Sequence, residues 1–398
     1  MKFRFHLLGL PHTATNRSYN ACAYTQKIVK FIDMMSPRGH ELIHYGNEGS
    51  IVPCEHVQML FEEERAGWFG PHDPSRLYDL DWNPSQPYWQ TSNERALRAL
   101  QRRTRAGDFI LTLAGNCQQP IGDGFEGSYA SIPTGPMMVE YGIGYYGTFS
   151  RYRVFESHAH REWWHGRRDN VQEDNDDAVV PNYFDRRDFP SFPRDEEEKQ
   201  ALLRGLPERS RERVCSIVAE PYFLFLGRII ASKGFHIAIE TTAALGSRLV
   251  LAGQGDPGPL PPHVVRFGHA TIEERGVLMA CATASFAPTH YREPFGGVAV
   301  EAQLCGTPAV TTDHGAFVET VEAPWRCASH AEFLEAAERA RQLRAEERAA
   351  LRERALSRYS LEAVAPLYER YFSRLYARWG GGWYETRDLS AIALPRQR

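Results

Sequence analysis

An α/β chain of two domains, the second a doubly wound parallel sheet, is predicted on three observations. At 398 residues it is too long for one ordinary core, since a domain usually takes about 100–200 residues. It opens with an apolar strand (Lys2 to Leu8), a polar loop (Pro11 to Ser18) and a helical stretch from about Ala21 to Met35, the beginning of an α/β unit. From Pro221 onward, apolar runs at Tyr222–Leu226, Arg248–Ala252, Val264–Phe267, Thr283–Ala287 and Ala309–Thr312 alternate with helical stretches, the pattern of a parallel sheet covered on both faces.

Between these ends the reading is uneven. Residues 41–92 are rich in aromatics, prolines and charges and show little periodicity. An amphipathic stretch near 93–105 precedes a strand at Phe109–Leu113, and further strands are expected at Met137–Tyr141 and Tyr152–Glu156. The acidic runs Glu173 to Asp177 and Asp195 to Glu198 read as solvated loop or helix start. Prolines in Phe189-Pro-Ser-Phe-Pro-Arg194 and the charged residues after them suggest a connection. The division expected is therefore an N-terminal domain at 1–185, a linker at 186–216, a second domain at 217–365 and a tail at 366–398 that returns to the first domain. Residues 330–356 read as one long Ala/Glu/Arg-rich helix.

Composition excludes several classes. Apolar content of 42%, charged content of 24% and a net charge of −4 describe a globular protein without general attraction to nucleic acid or anionic lipid. The N-terminal stretch is too short and too charged for a signal peptide, and no run of about 18 apolar residues is available to span a bilayer. Seven cysteines without a C-x-x-C pair argue against a disulfide framework or zinc knuckle, so a cytoplasmic protein is expected.

The chemistry concentrates in the second domain. Glu293-Pro-Phe-Gly-Gly-Val-Ala-Val-Glu301 places two carboxylates around a Gly-Gly that opens a helix. Glycines at 296 and 297 let backbone donors approach a ligand, and Glu301, four positions beyond Gly297, returns to the same helix face. Free N–H groups of that first turn suit an anion or hydroxyl array, and the carboxylates suit paired hydroxyls. An ordinary helix with solvated glutamates fits the same residues. Upstream, strand Tyr222–Leu226 runs into Gly227-Arg228-Ile-Ile-Ala-Ser-Lys233-Gly234, which puts two cations at the carboxyl end of a strand. A fork and a point charge suit a diphosphate; a solvated surface turn is the alternative.

Gly-Arg-x4-Lys-Gly and Glu-x7-Glu about 60 residues apart together resemble a family-four retaining glycosyltransferase of the GT-B fold. The likeness extends to Val179-Val-Pro-Asn-Tyr-Phe-Asp185, Ala252-Gly-Gln-Gly255 and Phe267-Gly268. It implies two Rossmann-like domains facing a central cleft, a nucleotide-diphosphate sugar as donor, and no cofactor or metal. By the same resemblance Arg228 and Lys233 would hold the diphosphate, and Glu293 the sugar hydroxyls with the backbone of Phe295, Gly296 and Gly297. Glu301 would take the ribose, and the region from Arg266 to Gly268 would lie near the base.

The first domain departs from the family. Its first loop is Gly9-Leu-Pro-His12, and no histidine stands in Val139-Glu-Tyr-Gly142, where the family carries one; His12, Glu140, His158 and His160 are the candidate substitutes. The acceptor therefore stays open among glycan, lipid, small molecule and nucleic acid. Gly142-Ile-Gly-Tyr-Tyr-Gly147 matches a dinucleotide fingerprint, which would make the chain an NAD-dependent oxidoreductase. A non-catalytic sugar- or nucleic-acid-binding protein of the same fold is the third reading. His158, His160 and His165 lack a defined further ligand partner, and arginines 95, 98, 102, 103 and 105 read as a solvated basic helix face or an anion patch.

Overall fold

The computed structural model describes residues 1–73, 80–125, 135–167 and 176–378. The chain forms two compact units, one holding the residues up to Asn182 together with those from Val364 onward, the other Tyr183–Ala363.

The first unit is built on a parallel sheet of seven strands: β1 (Arg4–Leu8), β2 (Glu41–Gly46), β3 (Glu55–Gln58), β4 (Phe109–Thr112), β5 (Met137–Ile143), β6 (Tyr152–Phe155) and β7 (Ala178–Val179). Their order is β3-β2-β1-β4-β5-β6-β7, so the winding reverses between β1 and β4. β4, β5 and β6 are buried at every position, as parallel strands covered on both faces should be. The unpatterned segment 41–92 contributes β2, β3, a helix Glu62–Phe69 and the start of the helix Pro87–Arg103. Short strands, one of them at the sheet edge, hide their period because few residues repeat it.

The second unit carries six parallel strands: β8 (Phe223–Leu226), β9 (Leu249–Ala252), β10 (Val264–Gly268), β11 (Ser285–Ala287), β12 (Ala309–Thr312) and β13 (Arg326–Cys327). The order β10-β9-β8-β11-β12-β13 reverses between β8 and β11, with Leu224 paired to Val250 of β9 on one side and to Ser285 of β11 on the other. The five strands expected are joined by β13, whose two residues are too few to leave a pattern. One face of this sheet buries Leu224, Leu226, Val250, Val300 and Leu304, the other Phe223, Phe225, Leu249, Leu251 and Phe286.

Three expectations are corrected. Residues 186–216 are not a linker: the helices Glu196–Arg204 and Glu208–Val218 lie inside the second unit and give Leu203 and Val214 to its core, with Leu206 from the turn between them. Charged solvent faces made these helices look like a connection. Of the two readings of the acidic run Asp195–Glu198 the helix start holds, with the Asp195 side chain accepting from Glu198 N–H. The stretch 330–356 breaks into helices His330–Arg341 and Ala345–Tyr359. Of the run 173–177, residues 173–175 lie outside the described residues; Asp176 and Asp177 are buried, paired with Arg151 at 2.7 Å and with Arg153 at 2.7 Å. The helix Leu361–Arg378 packs in the first unit from Val364 on, where Phe372 meets Phe5 and Phe109.

Candidate functional site

The reversal between β8 and β11 separates two loops at the carboxyl ends of adjacent strands, which is where open α/β sheets hold ligands. After β8 the chain passes Gly227 and Arg228, forms a short 3-10 turn at Ala231–Lys233 and starts the helix Phe235–Ala244. Gly234 closes that turn at φ 72°, and a Cβ there would stand 1.9 Å from the Pro288 carbonyl oxygen, so only glycine lets the two loops cross this closely. A hydrogen bond from His290 N–H to the Ser232 carbonyl, 2.9 Å long, ties them.

After β11 the chain runs through Pro288 and Tyr291 to Glu293. Lys233 Nζ is ion-paired with Glu293 Oε1 and lies 4.7 Å from the centre of the Tyr291 ring. The Tyr291 hydroxyl donates to the same carboxylate oxygen at 2.8 Å, and the Glu293 carbonyl accepts from Ala316 N–H at 3.0 Å. A residue from each loop is thus joined in one cluster 60 positions apart in sequence. Arg228 is exposed and has no ion pair among the described residues. Its guanidinium is open to an anionic ligand.

Glycine opens the next helix, Gly297–Leu304, in which Gly296 adopts φ 78° as the N-cap and no side chain caps the N–H groups. A Cβ on Gly296 would meet the Phe317 ring at 2.3 Å; Phe295 is buried in the core behind it. Glu301 is half-buried on that helix and ion-paired with Arg275. Gly268, at φ 80° with open space where a Cβ would stand, ends β10, and its carbonyl accepts from Gly253 N–H at 2.7 Å. Arg266 is exposed and donates to the Gly255 carbonyl at 2.8 Å. Sequence reasoning missed Tyr291 and Arg275. Tyr291 stands two positions before Glu293 and was within reach of a closer reading; Arg275 lies 26 residues from Glu301 and leaves no local signal.

In the first unit the candidates are scattered. His12 follows β1, at that sheet's own reversal, but is buried, and burial with Arg65 nearby holds its pKa down to about 3. Glu140 is an interior residue of β5 whose carboxylate accepts from Phe149 N–H (2.9 Å), Ser150 N–H (2.8 Å) and the Tyr145 hydroxyl (3.1 Å). Burial raises its pKa to about 7 against those donors. It is engaged in holding the β5–β6 connection, which corrects its reading as an acceptor-facing group. His158 begins the helix His158–Gly166, capped by Ser157. His160 lies 3.4 Å from the Tyr145 carbonyl and His165 2.8 Å from Asp177, and no group of three or more possible metal ligands occurs among the described residues.

The dinucleotide reading fails on context. Gly142 sits within β5 and the next element after Gly147 is the strand β6, so no helix opens there to receive a pyrophosphate. The arginine stretch is largely neutralised: Arg95 pairs with Glu64, Arg98 with Glu94 and Arg103 with Glu55.

Residues 220–344 match the family model described as glycosyl transferases group 1, the span that contains both loops. The two parallel sheets find full-length counterparts among solved structures. Sucrose-phosphate synthase from Thermosynechococcus elongatus superposes with a TM-score of 0.66 at 16% identity, covering 94% of this chain and 100% of that one. This chain has the GT-B glycosyltransferase fold. The catalytic domain of starch synthase IV from Arabidopsis thaliana, bound to ADP and acarbose, gives 0.65 at 12% identity over 94% of this chain and 99% of that one. The Anabaena protein HepE in complex with UDP-glucose gives 0.60 at 16% over 93% and 99%. In sequence, glycogen synthase from Mycobacterium tuberculosis is 38% identical over 113 residues, which cover 25% of this chain and 27% of that protein. The match thus spans about a quarter of that relative's length. The resemblance drawn from Gly-Arg-x4-Lys-Gly and Glu-x7-Glu is borne out in the GT-B fold and in the match of residues 220–344 to the glycosyl transferases group 1 model.

Proposed function

We propose that this chain transfers a sugar from a nucleotide-diphosphate sugar to an acceptor, with retention at the anomeric carbon and without a metal ion. The observation that carries the reading is the gathering of Arg228, Lys233 and Glu293 at the β8/β11 reversal. When the anomeric C–O bond breaks, negative charge grows on the departing diphosphate, and fixed cations with uncapped helix N–H groups stabilise it where it develops. Arg228 and Lys233 fill that role. In the ligand-free protein Lys233 is paired with Glu293, so donor binding exchanges partners: the diphosphate takes the ammonium, and the carboxylate turns to the sugar hydroxyls with the backbone of Phe295, Gly296 and Gly297. Glu301 takes the ribose hydroxyls in competition with Arg275, and the open face at Gly268 leaves room for the base.

Support for a nucleotide-sugar donor comes from the ADP and UDP-glucose carried by the fold neighbours. All seven cysteines are free thiols, which suits a cytoplasmic setting, and no helix among the described residues is long and apolar enough to cross a membrane. A panel of UDP-, GDP-, ADP- and dTDP-sugars, with donor hydrolysis and transfer as readouts, tests the reading. Turnover of one donor that persists in EDTA is expected. Binding of a donor without turnover against any acceptor class would leave a binding protein, and loss of turnover in EDTA would remove the metal-free mechanism.

A further inference from the structure

Beside the Lys233–Glu293 cluster stand two histidines that neither the donor reading nor the fold requires. His236 is the second residue of the helix Phe235–Ala244, and His290 lies three positions before Glu293. Their Nε2 atoms are 3.2 Å apart, and the rings are close to parallel, 14° between planes with centroids 5.2 Å apart. At that ring separation the nitrogens face each other edge to edge. One proton can bridge them, one imidazole donating and the other accepting. The same distance also suits a metal: two ligands at 2.0–2.1 Å whose nitrogens are 3.2 Å apart subtend about 103° at the ion, near the tetrahedral angle.

The pair is held by backbone, not by chance rotamers of two loose loops. His290 N–H donates to the Ser232 carbonyl at 2.9 Å, and Gly234, in the left-handed region, lets the Pro288 carbonyl come against the start of the His236 helix. His236 is half-buried and His290 exposed, so an ion can reach them and water can complete its shell. A second pair, the buried His44 and the half-buried His56 on β2 and β3 with Nδ1 atoms 2.9 Å apart, lies in the first unit and serves as a comparison.

We propose that His236 and His290 form an open two-histidine site for a borderline divalent cation of the zinc class, which staples the loop after β8 to the loop after β11. Imidazole ligands favour Zn²⁺, Cu²⁺ and Ni²⁺ over Mg²⁺ or Ca²⁺. With no third histidine, cysteine or carboxylate joining the pair among the described residues, the other positions belong to water, so the ion exchanges and does not serve as a permanent structural zinc. Because the ion binds only where both loops are in their folded places, it stabilises the folded chain by mass action.

The test is Zn²⁺ titration of the full chain by calorimetry, with thermal unfolding in parallel. The wild type should bind one ion with micromolar affinity and melt at a higher temperature with Zn²⁺ than without. His236→Gln and His290→Gln should each weaken that site at least about tenfold and abolish its share of the thermal shift, and the double variant should be no weaker than either single one, because a chelate is lost with its first ligand. His44→Gln should leave the site intact. Melting without zinc, near the wild-type value for both single variants, keeps misfolding apart from ligand loss. Wild-type zinc affinity in either single variant, or no binding to the wild type below about 1 mM, would overturn the site and leave a proton-sharing pair. Zinc affinity is read without any sugar donor, so this result stands or falls separately from the proposed activity.

Discussion

Replacing Lys233 by alanine should separate phosphate recognition from everything else the second unit does. In the folded chain the ammonium is ion-paired with Glu293, with side-chain exposures of 20% and 11%. A hydrogen bond to a charged group contributes about 1.5–3 kcal/mol, and the partial exposure of both groups places this one toward the lower end, about 1.5–2 kcal/mol. Loss of that contact to a diphosphate corresponds to roughly 10–30-fold weaker binding. Glu293 keeps the Tyr291 hydroxyl at 2.8 Å, so it is not left bare, and the fold should lose only about 1–2 kcal/mol. For a unit spanning Tyr183–Ala363 that is a fall in Tm of a few degrees, at about 2–4 °C per kcal/mol. The assay is calorimetry with the nucleoside diphosphate that binds the wild type most tightly, and with its parent nucleoside. The diphosphate should weaken 10–30-fold in Lys233→Ala while the nucleoside keeps its affinity. Equal losses for both ligands, or an unchanged diphosphate affinity, would refute the assignment of Lys233 to phosphate.

Three further outcomes follow from the geometry. Glu301→Gln should weaken a ribonucleotide about tenfold and nearly erase its advantage over the 2′-deoxy form, measured by competition binding, because a neutral amide accepts less strongly from paired hydroxyls. Gly234→Ala and Gly268→Ala both force an L residue into a left-handed conformation, worth about 1–2 kcal/mol, but only at 234 would the Cβ lie 1.9 Å from a backbone oxygen; chemical denaturation should show the Gly234 variant clearly less stable and its donor affinity lowered. Burial lifts Glu140 from an ordinary 4.5 to about 7, so the folded state holds a proton that the unfolded chain has released, and stability falls as pH rises from about 4.5 to 7. That gap amounts to about 3 kcal/mol; Glu140→Gln should flatten the slope of Tm against pH across this window, and an unchanged slope would place the titration elsewhere.

How much of this was legible in sequence depends on how local the information was. Continuous apolar runs such as Phe223–Leu226 and Leu249–Ala252 announce parallel strands because both their faces are buried. β3 and β13 escaped notice because short strands carry no measurable period, and the helices at 196–218 because half of each is charged and solvated. In the site, Gly234, Gly296 and the two glutamates could be picked out as residue types at telling spacings. Their partners could not: Lys233 meets Glu293 across 60 residues, and Arg275 meets Glu301 across 26. The first unit shows the reverse error. Glu140 and the 142–147 glycines had suggestive identities, yet one is occupied within the core and the others lie in or just after β5 and are followed by a strand, not a helix.

By itself, then, the sequence determined the class of fold and the kinds of groups available at the ends of the strands, because periodicity and residue chemistry are written along the chain. Tertiary structure alone decided which of those groups share a site. The reversal between β8 and β11 brings two distant loops side by side, and the close crossing at Gly234 and Pro288 sets Lys233 against Glu293 and His236 against His290. Side-chain pairing of this kind depends on distances through space that strand order creates, and no spacing along the chain encodes it.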